Sequence, residues 1–528
     1  VPNPRSRNSQ IERLRGGSFD VLIIGSGVCE TAIFASLASK GIPVALVATQ
    51  DFASQTNQDI PFLLNDGFES TTGWAMANSY LNSKSINKLA NSHIAGIQPI
   101  PYLSLVTESD NDSFSGSTRK AITNSLVNKG SRPQLRRQSS LAAAETSLRV
   151  SNIKGAIEHK AAYTPDGEGR LAFNLIHHGM SHGSNNAVAV NYLKPISKEQ
   201  TKGKPWEIEV KDIISNEVFA LSSKVVIEAQ HPTSKNIFNL SKETSQTTVA
   251  NTHISIQRFT KLKQFVRLVN TKNKKITLGT THNRNMITCS RVMKTSSDLD
   301  RDADIKHILK TINSQYKLEE EITEDQITSI WETQSQHCAT KSSENLTDTC
   351  LSGIKNQIEV DATQKIVNLV GTRVAASYQI SKEVVKIVSR MGIEFKSDKN
   401  KWYSSSDQTE KSYFMDLAKN LDLIDPDSAF TLADCIWRRH RTNSFKILDI
   451  IESNETLKKP IIEGYDYIWA EIAAIRSHEM VVSVDDFLYR RTTLGQLLGK
   501  SIFDQINKSD LEQALMLESS SMKDPQSS

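Results

Sequence analysis

The chain has 528 residues, 38% of them hydrophobic and 23% charged, with a formal net charge of +4 at pH 7. That length is too great for one core and implies two or three domains, and the near-balanced charge argues against a dominant nucleic-acid partner. No apolar run approaches the roughly 20 residues of a membrane helix, and five cysteines without a CxxC pair suit a reducing compartment rather than a disulfide or structural-zinc framework.

Residues 1–17 carry Arg5, Arg7, Arg13 and Arg15 against Glu12 alone. This reads evenly as the remnant of a mitochondrial-type targeting segment or as a disordered basic tail. The stretch from Phe19 to Ala48 then predicts a strand, a glycine turn, a helix and a second parallel strand. Val21–Ile24 is an apolar run suited to burial on both faces, and Gly25-Ser26-Gly27 turns the chain sharply. Ala32, Ala35, Leu37 and Ala38 give the following helix a small-residue packing face, Gly41 ends it, and Val44–Val47 returns to the sheet.

In a dinucleotide site the first glycine permits the turn, the second admits the pyrophosphate and the third lets helix and strand pack closely. An acid at the end of the second strand holds the ribose. Here Glu30 stands at the third glycine position and Ala48 at the acid position. A carboxylate at Glu30 competes for the N–H groups and helix dipole a pyrophosphate needs. Its repulsion of a dianionic ligand is on the order of 1–3 kcal/mol or more.

A helix is expected over Trp74–Ala90, a polar loop over Asp110–Ser117 and a basic, serine-rich tract over Arg119–Arg149. Further on, a helix near Gly169–Ser181 precedes an alternating strand at Ala187–Leu193. Trp206–Val210 and Glu217–Leu221 form a hairpin, and Lys224–Ala229 is a buried strand. Strands at Asn251–Gln257, Gln264–Val269 and Lys275–Thr280 predict a mainly antiparallel sheet, followed by helices over Asp302–Asn313 and Glu324–Trp331. Ile366–Val370, Gly371 and a helix over Ala375–Ser389 repeat the strand-turn-helix theme. Helices are expected over Tyr413–Asn420, Ala429–Arg438, Phe445–Ile450, Tyr465–His478 and Thr493–Ile506, and the tail after Leu517 is polar. His177 and His178 read as surface histidines, and Arg438, Arg439, His440 and Arg441 as a solvated helix end.

FDVLIIGSG at Phe19–Gly27, VALVATQDFASQT at Val44–Thr56, LGTT at Leu278–Thr281 and DFLYRRTTLG at Asp486–Gly495 together resemble the FAD-dependent glycerol-3-phosphate dehydrogenase family, especially its mitochondrial fungal type. The resemblance implies an α/β (α+β overall) flavoprotein. It would have a Rossmann-like FAD-binding domain in three pieces (18–95, 151–240 and 341–400) and a substrate-type antiparallel sheet domain (241–340). A basic, partly disordered insertion (96–150), a C-terminal helical domain (401–516) and a disordered tail (517–528) complete it. Relatives oxidise glycerol 3-phosphate and pass electrons to quinone, peripherally at the mitochondrial inner membrane.

The resemblance also places candidate residues. Gly25, Gly27, Ser54, Thr56, Gly67, Thr280 and Gly371 fall at cofactor-contacting positions. His253 falls where a family histidine lies near flavin and substrate, and Arg373 where a lysine of a glycine-rich segment stands. Against these, the lysine, histidine and first glycine of the family's KLIHGG segment correspond to Phe62, Asn65 and Asp66, and the arginine after it to Glu69. The acid following LGTT is His282, and the arginine resembling a phosphate clamp is Ser335. Ligand positions are lost where packing positions are kept. This favours a pseudoenzyme that serves as a mitochondrial scaffold, subunit or regulatory binder of a protein partner, with doubtful FAD binding. The alternative is an active dehydrogenase with diverged ligands.

Overall fold

The computed structural model describes residues 7–54, 62–64, 96–107, 134–144, 153–164, 166–182, 186–201, 203–229, 246–260, 265–270, 274–281, 284–293, 300–338, 357–372, 374–395, 408–425 and 431–516, with isolated positions at 85, 88, 89, 92, 94, 148, 149, 151, 237 and 238. In chain order the strands begin with β1 (Ser18–Ile24), β2 (Val44–Val47), β3 (Phe62–Leu64), β4 (Gln98–Thr107), β5 (Gln134–Arg137) and β6 (Ile153–Thr164). They continue with β7 (Ala187–Val190), β8 (Leu193–Gln200), β9 (Trp206–Asp212), β10 (Val218–Ala229), β11 (Gln246–Gln257) and β12 (Phe265–Asn270). The last are β13 (Lys274–Thr281), β14 (Arg284–Met293), β15 (Ile327–Cys338), β16 (Gln357–Asp361) and β17 (Ile366–Val370).

The first sheet has the order β16-β17-β10-β1-β2-β7, with β17, β10, β1, β2 and β7 parallel and β16 antiparallel at the edge. Its strands are apolar on both sides because both faces are covered, as a parallel sheet requires. On one face lie α2 (Val28–Ala38), whose residues are all buried, and α4 (Gly167–His182), with Ile33, Phe34 and Phe173 packed on Val21 and Ile23. On the other lie α1 (Arg7–Leu14) and the β8-β9-β10 ribbon, which enclose Leu22, Ile24, Ile208 and Val210. α3 (Gln138–Ala144) precedes α4 in the chain.

The second sheet, β15-β11-β14-β13-β12-β4-β6-β3 with β5 on β6, is antiparallel except between β12 and β4. α5 (Arg301–Gln315) covers one of its faces through Ile305, Ile308 and Ile312. α6 (Ser377–Arg390) then returns the chain to the first sheet. A helical C-terminal part holds α7 (Gln408–Asn420), α8 (Leu432–His440), α9 (Ser444–Ser453), α10 (Trp469–His478), α11 (Leu494–Leu498) and α12 (Lys508–Ala514).

Several expectations change. Residues 7–17 are not a disordered tail: Ile11 and Leu14 are buried, and Arg7 holds Asp212 at 2.6 Å. Within 96–150, β4, β5 and α3 are ordered parts of the second sheet region, and β6 joins that sheet rather than the first. Glu324–Trp331 is one 3-10 turn followed by β15. Gln326 Oε1 accepts from the Thr323 N–H at 3.0 Å across that turn, and β-branched Ile327, Thr328 and Ile330 favour the strand that follows. The expected Glu217–Leu221 and Lys224–Ala229 strands are one continuous β10. Most of the expected Trp74–Ala90 helix, the 110–117 loop, most of the Arg119–Arg149 tract and the 517–528 tail lie outside the described residues.

Candidate functional site

The ends of β1, β10 and β17 meet the start of α2, with Ala229 beside Gly25 and Thr372 beside Cys29. Gly25 has φ +129, and a Cβ there would lie 3.0 Å from Ala229 Cβ and 3.3 Å from Glu30 Cγ. The turn therefore needs glycine, and the Glu30 side chain folds back over it. Gly27 is the N-cap of α2 and Glu30 its third residue. From that position a glutamate reaches back to the N-cap N–H, as half of a capping box. The Glu30 carboxylate accepts from the Gly27 N–H and from its own N–H. Burial raises its pKa, against the pull of those two backbone bonds. Cys29 beside it is pushed well up, by burial first and then by the Glu30 charge.

At the ribose position Ala48 is buried, its N–H bound to Val190 O at 3.0 Å and its carbonyl to Leu193 N at 2.8 Å. The segment beyond folds onto the glycine turn through Ala53 N to Ser26 O, 3.2 Å, and Ser54 Oγ donates to Gln50 at 3.2 Å. Gly371, φ +59, ends β17, and its neighbour Thr372 hydrogen-bonds Cys29. The structure thus gathers Gly25, Gly27, Ser54 and Gly371 around the α2 N-terminus. Thr56, Gly67 and Arg373 lie outside the described residues, as do Asn65, Asp66, Glu69 and His282.

His253 sits in mid-β11, 1% exposed, with Nδ1 2.9 Å from Thr288 Oγ1 and Nε2 3.0 Å from Thr333 Oγ1. Its ring stacks on Trp331 at 4.9 Å between centroids and 10° between planes. Both ring nitrogens are engaged by hydroxyls. Thr280 is three residues beyond Thr277, the residue in line with His253 across β14, so it projects from the opposite face. There it accepts a hydrogen bond from Asn285 Nδ2 at 2.9 Å. The structure does not bring these two candidates together. Ser335 lies on β15 opposite Val249.

Sequence reasoning missed two buried ionic networks. Asp51 pairs with Arg490 at 2.6 Å and with Arg491, and Asn191 Nδ2 adds 2.8 Å. Burial would raise the Asp51 pKa, but the two guanidiniums hold it below the ordinary range. This joins two of the resembling stretches, VALVATQDFASQT and DFLYRRTTLG, across the molecule. Arg170 adds a bidentate pair to Glu479, 2.7 and 2.8 Å, with His177 Nε2 at 3.6 Å. In the second network Glu471 accepts from Arg439 at 2.7 and 3.0 Å and lies 2.8 Å from His440 Nε2, while Arg438 holds Asp166 at 2.7 Å. The Arg438–His440 cluster is therefore buried and paired, not a solvated helix end. His177 and His178 are likewise buried, His178 lying 3.2 Å from Ser39 Oγ. A sequence signal existed for Asp51 and Arg490-Arg491, which stand in two of the stretches that carry the resemblance.

No protein-family model matches the chain. The chain is 26% identical over 268 residues to the mitochondrial glycerol-3-phosphate dehydrogenase of Saccharomyces cerevisiae, covering 46% of this chain and 39% of that one. It is 26% identical over 248 residues to the aerobic glycerol-3-phosphate dehydrogenase of Staphylococcus saprophyticus, covering 43% and 41%. The matched region thus spans well under half of either relative. Among solved structures, the glycerol-3-phosphate dehydrogenase of Bacillus halodurans complexed with FAD superposes with a TM-score of 0.70 at 17% identity, over 98% of this chain and 95% of that one. The FAD-bound L-α-glycerophosphate oxidase of Mycoplasma pneumoniae gives 0.55 at 12%, over 73% and 98%. Among the described residues no helix is long and apolar enough to cross a membrane.

Proposed function

We propose that this chain, a divergent relative of the FAD-dependent glycerol-3-phosphate dehydrogenases in sequence and fold, has lost all or nearly all redox activity and acts as a scaffold, subunit or regulatory binder. The observation that carries this reading is the Glu30 carboxylate, buried against the Gly27 N–H where a dinucleotide's pyrophosphate would need to bind. Adding two phosphate charges beside it opposes binding by about 1–3 kcal/mol or more, before the side chain's own volume is counted. The residues present therefore do not fit a flavin dinucleotide held at this turn. Neutral Ala48 offers the ribose no carboxylate, and His253 shares both its ring nitrogens with threonines.

Two further parts of the reading are a mitochondrial location, peripheral to the inner membrane, and a protein partner. The name of the yeast relative supports the first. The test is turnover: purified protein given excess FAD, glycerol 3-phosphate and a quinone analogue should reduce no acceptor above the FAD-only control. Substrate-dependent reduction at a rate ordinary for a flavoenzyme, about 1 per second or faster, would make the chain a working dehydrogenase instead.

A further inference from the structure

One stretch of the basic, serine-rich tract, Arg136-Arg137-Gln138-Ser139-Ser140, runs from the end of β5 into the first turn of α3. The chain holds three adjacent arginine pairs, and the other two are engaged by buried carboxylates: Arg438-Arg439 by Asp166 and Glu471, Arg490-Arg491 by Asp51. Thr492 and Thr493, which follow the last pair, are buried. Arg136-Arg137 is different. Arg136 holds Glu158 at 2.7 Å from a side chain that is 40% exposed, and Arg137 is exposed with no ion-pair partner among the described residues. Ser139 and Ser140 are exposed as well, and neither hydroxyl makes a hydrogen bond among the described residues.

The backbone here suits entry into an enzyme's cleft. Among the described residues β5 pairs with β6 alone, so both arginines stand on an extended edge strand. α3 has 7 residues, well short of the roughly 12–15 at which a helix holds by itself, and Leu141 seats it on the core of the second sheet. Its first turn can open while Leu141 stays in place. Guanidiniums three and two residues ahead of a hydroxyl offer a charge pattern that carboxylates in a kinase's substrate groove can read, because each Arg–carboxylate fork fixes register as well as charge.

We infer that Ser139 is a phosphorylation site for an arginine-directed serine/threonine kinase. Ser139 Oγ attacks the γ-phosphorus of ATP, and the Oγ–P bond forms as the bond to the bridging oxygen breaks. ADP leaves with that electron pair, and the hydroxyl proton passes to the kinase's base. The product places about −1.5 to −2 charges two residues from Arg137, which gives that arginine a counter-ion, and competes with Glu158 for Arg136.

The test incubates the full-length protein, its fold confirmed by far-UV circular dichroism, with magnesium, ATP and the catalytic subunit of cyclic-AMP-dependent protein kinase as the arginine-directed probe. Mass spectrometry of the digest locates the phosphate. The wild-type chain should gain close to one phosphoryl group, on Ser139, and Ser139→Ala should lose it. Arg137→Ala should lower the kinase's kcat/KM for this chain at least about tenfold, and Arg137→Lys, which keeps the charge without the fork, should fall between the two. Both variants change an exposed side chain. A folded chain that takes no phosphate overturns the inference. So does phosphate that maps elsewhere, persists in Ser139→Ala, or forms at an unchanged rate in Arg137→Ala.

Discussion

Replacing Asp51 with asparagine is expected to destabilise the protein by about 3–5 kcal/mol, the loss typical of breaking a buried pair by removing one partner. Asp51 is 1% exposed and serves two guanidiniums at once. In the variant Arg490 keeps Asp486, but the nearest carboxylate left to Arg491 among the described residues is Glu479 at 3.8 Å. The Arg491 side chain, 0% exposed, would stay buried with carbonyl groups as its main acceptors. Urea unfolding should show the loss as a lower midpoint. Hydrogen exchange should accelerate first in residues 484–498, which this pair ties to the end of β2. A shift below about 1 kcal/mol, the scale of an exposed pair, would mean that the network does not hold the two regions together.

The second large effect is expected at Glu471, and it depends on pH. Burial would raise this carboxylate's pKa, but Arg439 beside it, with hydrogen bonds from His440 and Arg439, holds it down at about 2. Because the folded value lies below the ordinary 4.5, the stabilisation is present in full above about pH 4.5 and is lost as pH falls towards 2. Glu471→Gln should therefore cost about 3 kcal/mol at neutral pH, with the gap from wild type closing across that acid window. Thermal or urea unfolding at pH 7, 4 and 3 measures it. A gap that stays constant down to pH 3 would mean that the ion pair contributes nothing to the difference.

These two networks mark where the sequence stopped being legible. β1, α2 and β2 could be read from local signals alone: a short apolar run, a glycine turn and a helix with small residues on its packing face. The strand that carries His253 is legible in the same way, but its two neighbours in the sheet, β14 and β15, are not. The histidine's partners Thr288 and Thr333 stand 35 and 80 residues away, so no local pattern could say that both ring nitrogens are engaged. Arg438, Arg439 and His440 look like a solvated helix end for the same reason, because Asp166, Asp466 and Glu471 reach them only through the fold. The start of β15 reads as a helix because acidic Glu324 and Asp325 open a single 3-10 turn, across which Gln326 Oε1 accepts from the Thr323 N–H. Glu30 was the opposite case. Its place in the first turn of α2 already put a carboxylate beside the N–H groups and dipole of the helix end, and the structure buries it there.

The claim on which the account turns is that this carboxylate has taken the place of a bound dinucleotide. The visible absorption spectrum of the protein, purified without added cofactor and again after incubation with excess FAD and desalting, tests it most directly. Flavin absorbance should stay far below one equivalent per chain in both samples. One equivalent of bound flavin, bleached on addition of glycerol 3-phosphate, would contradict it.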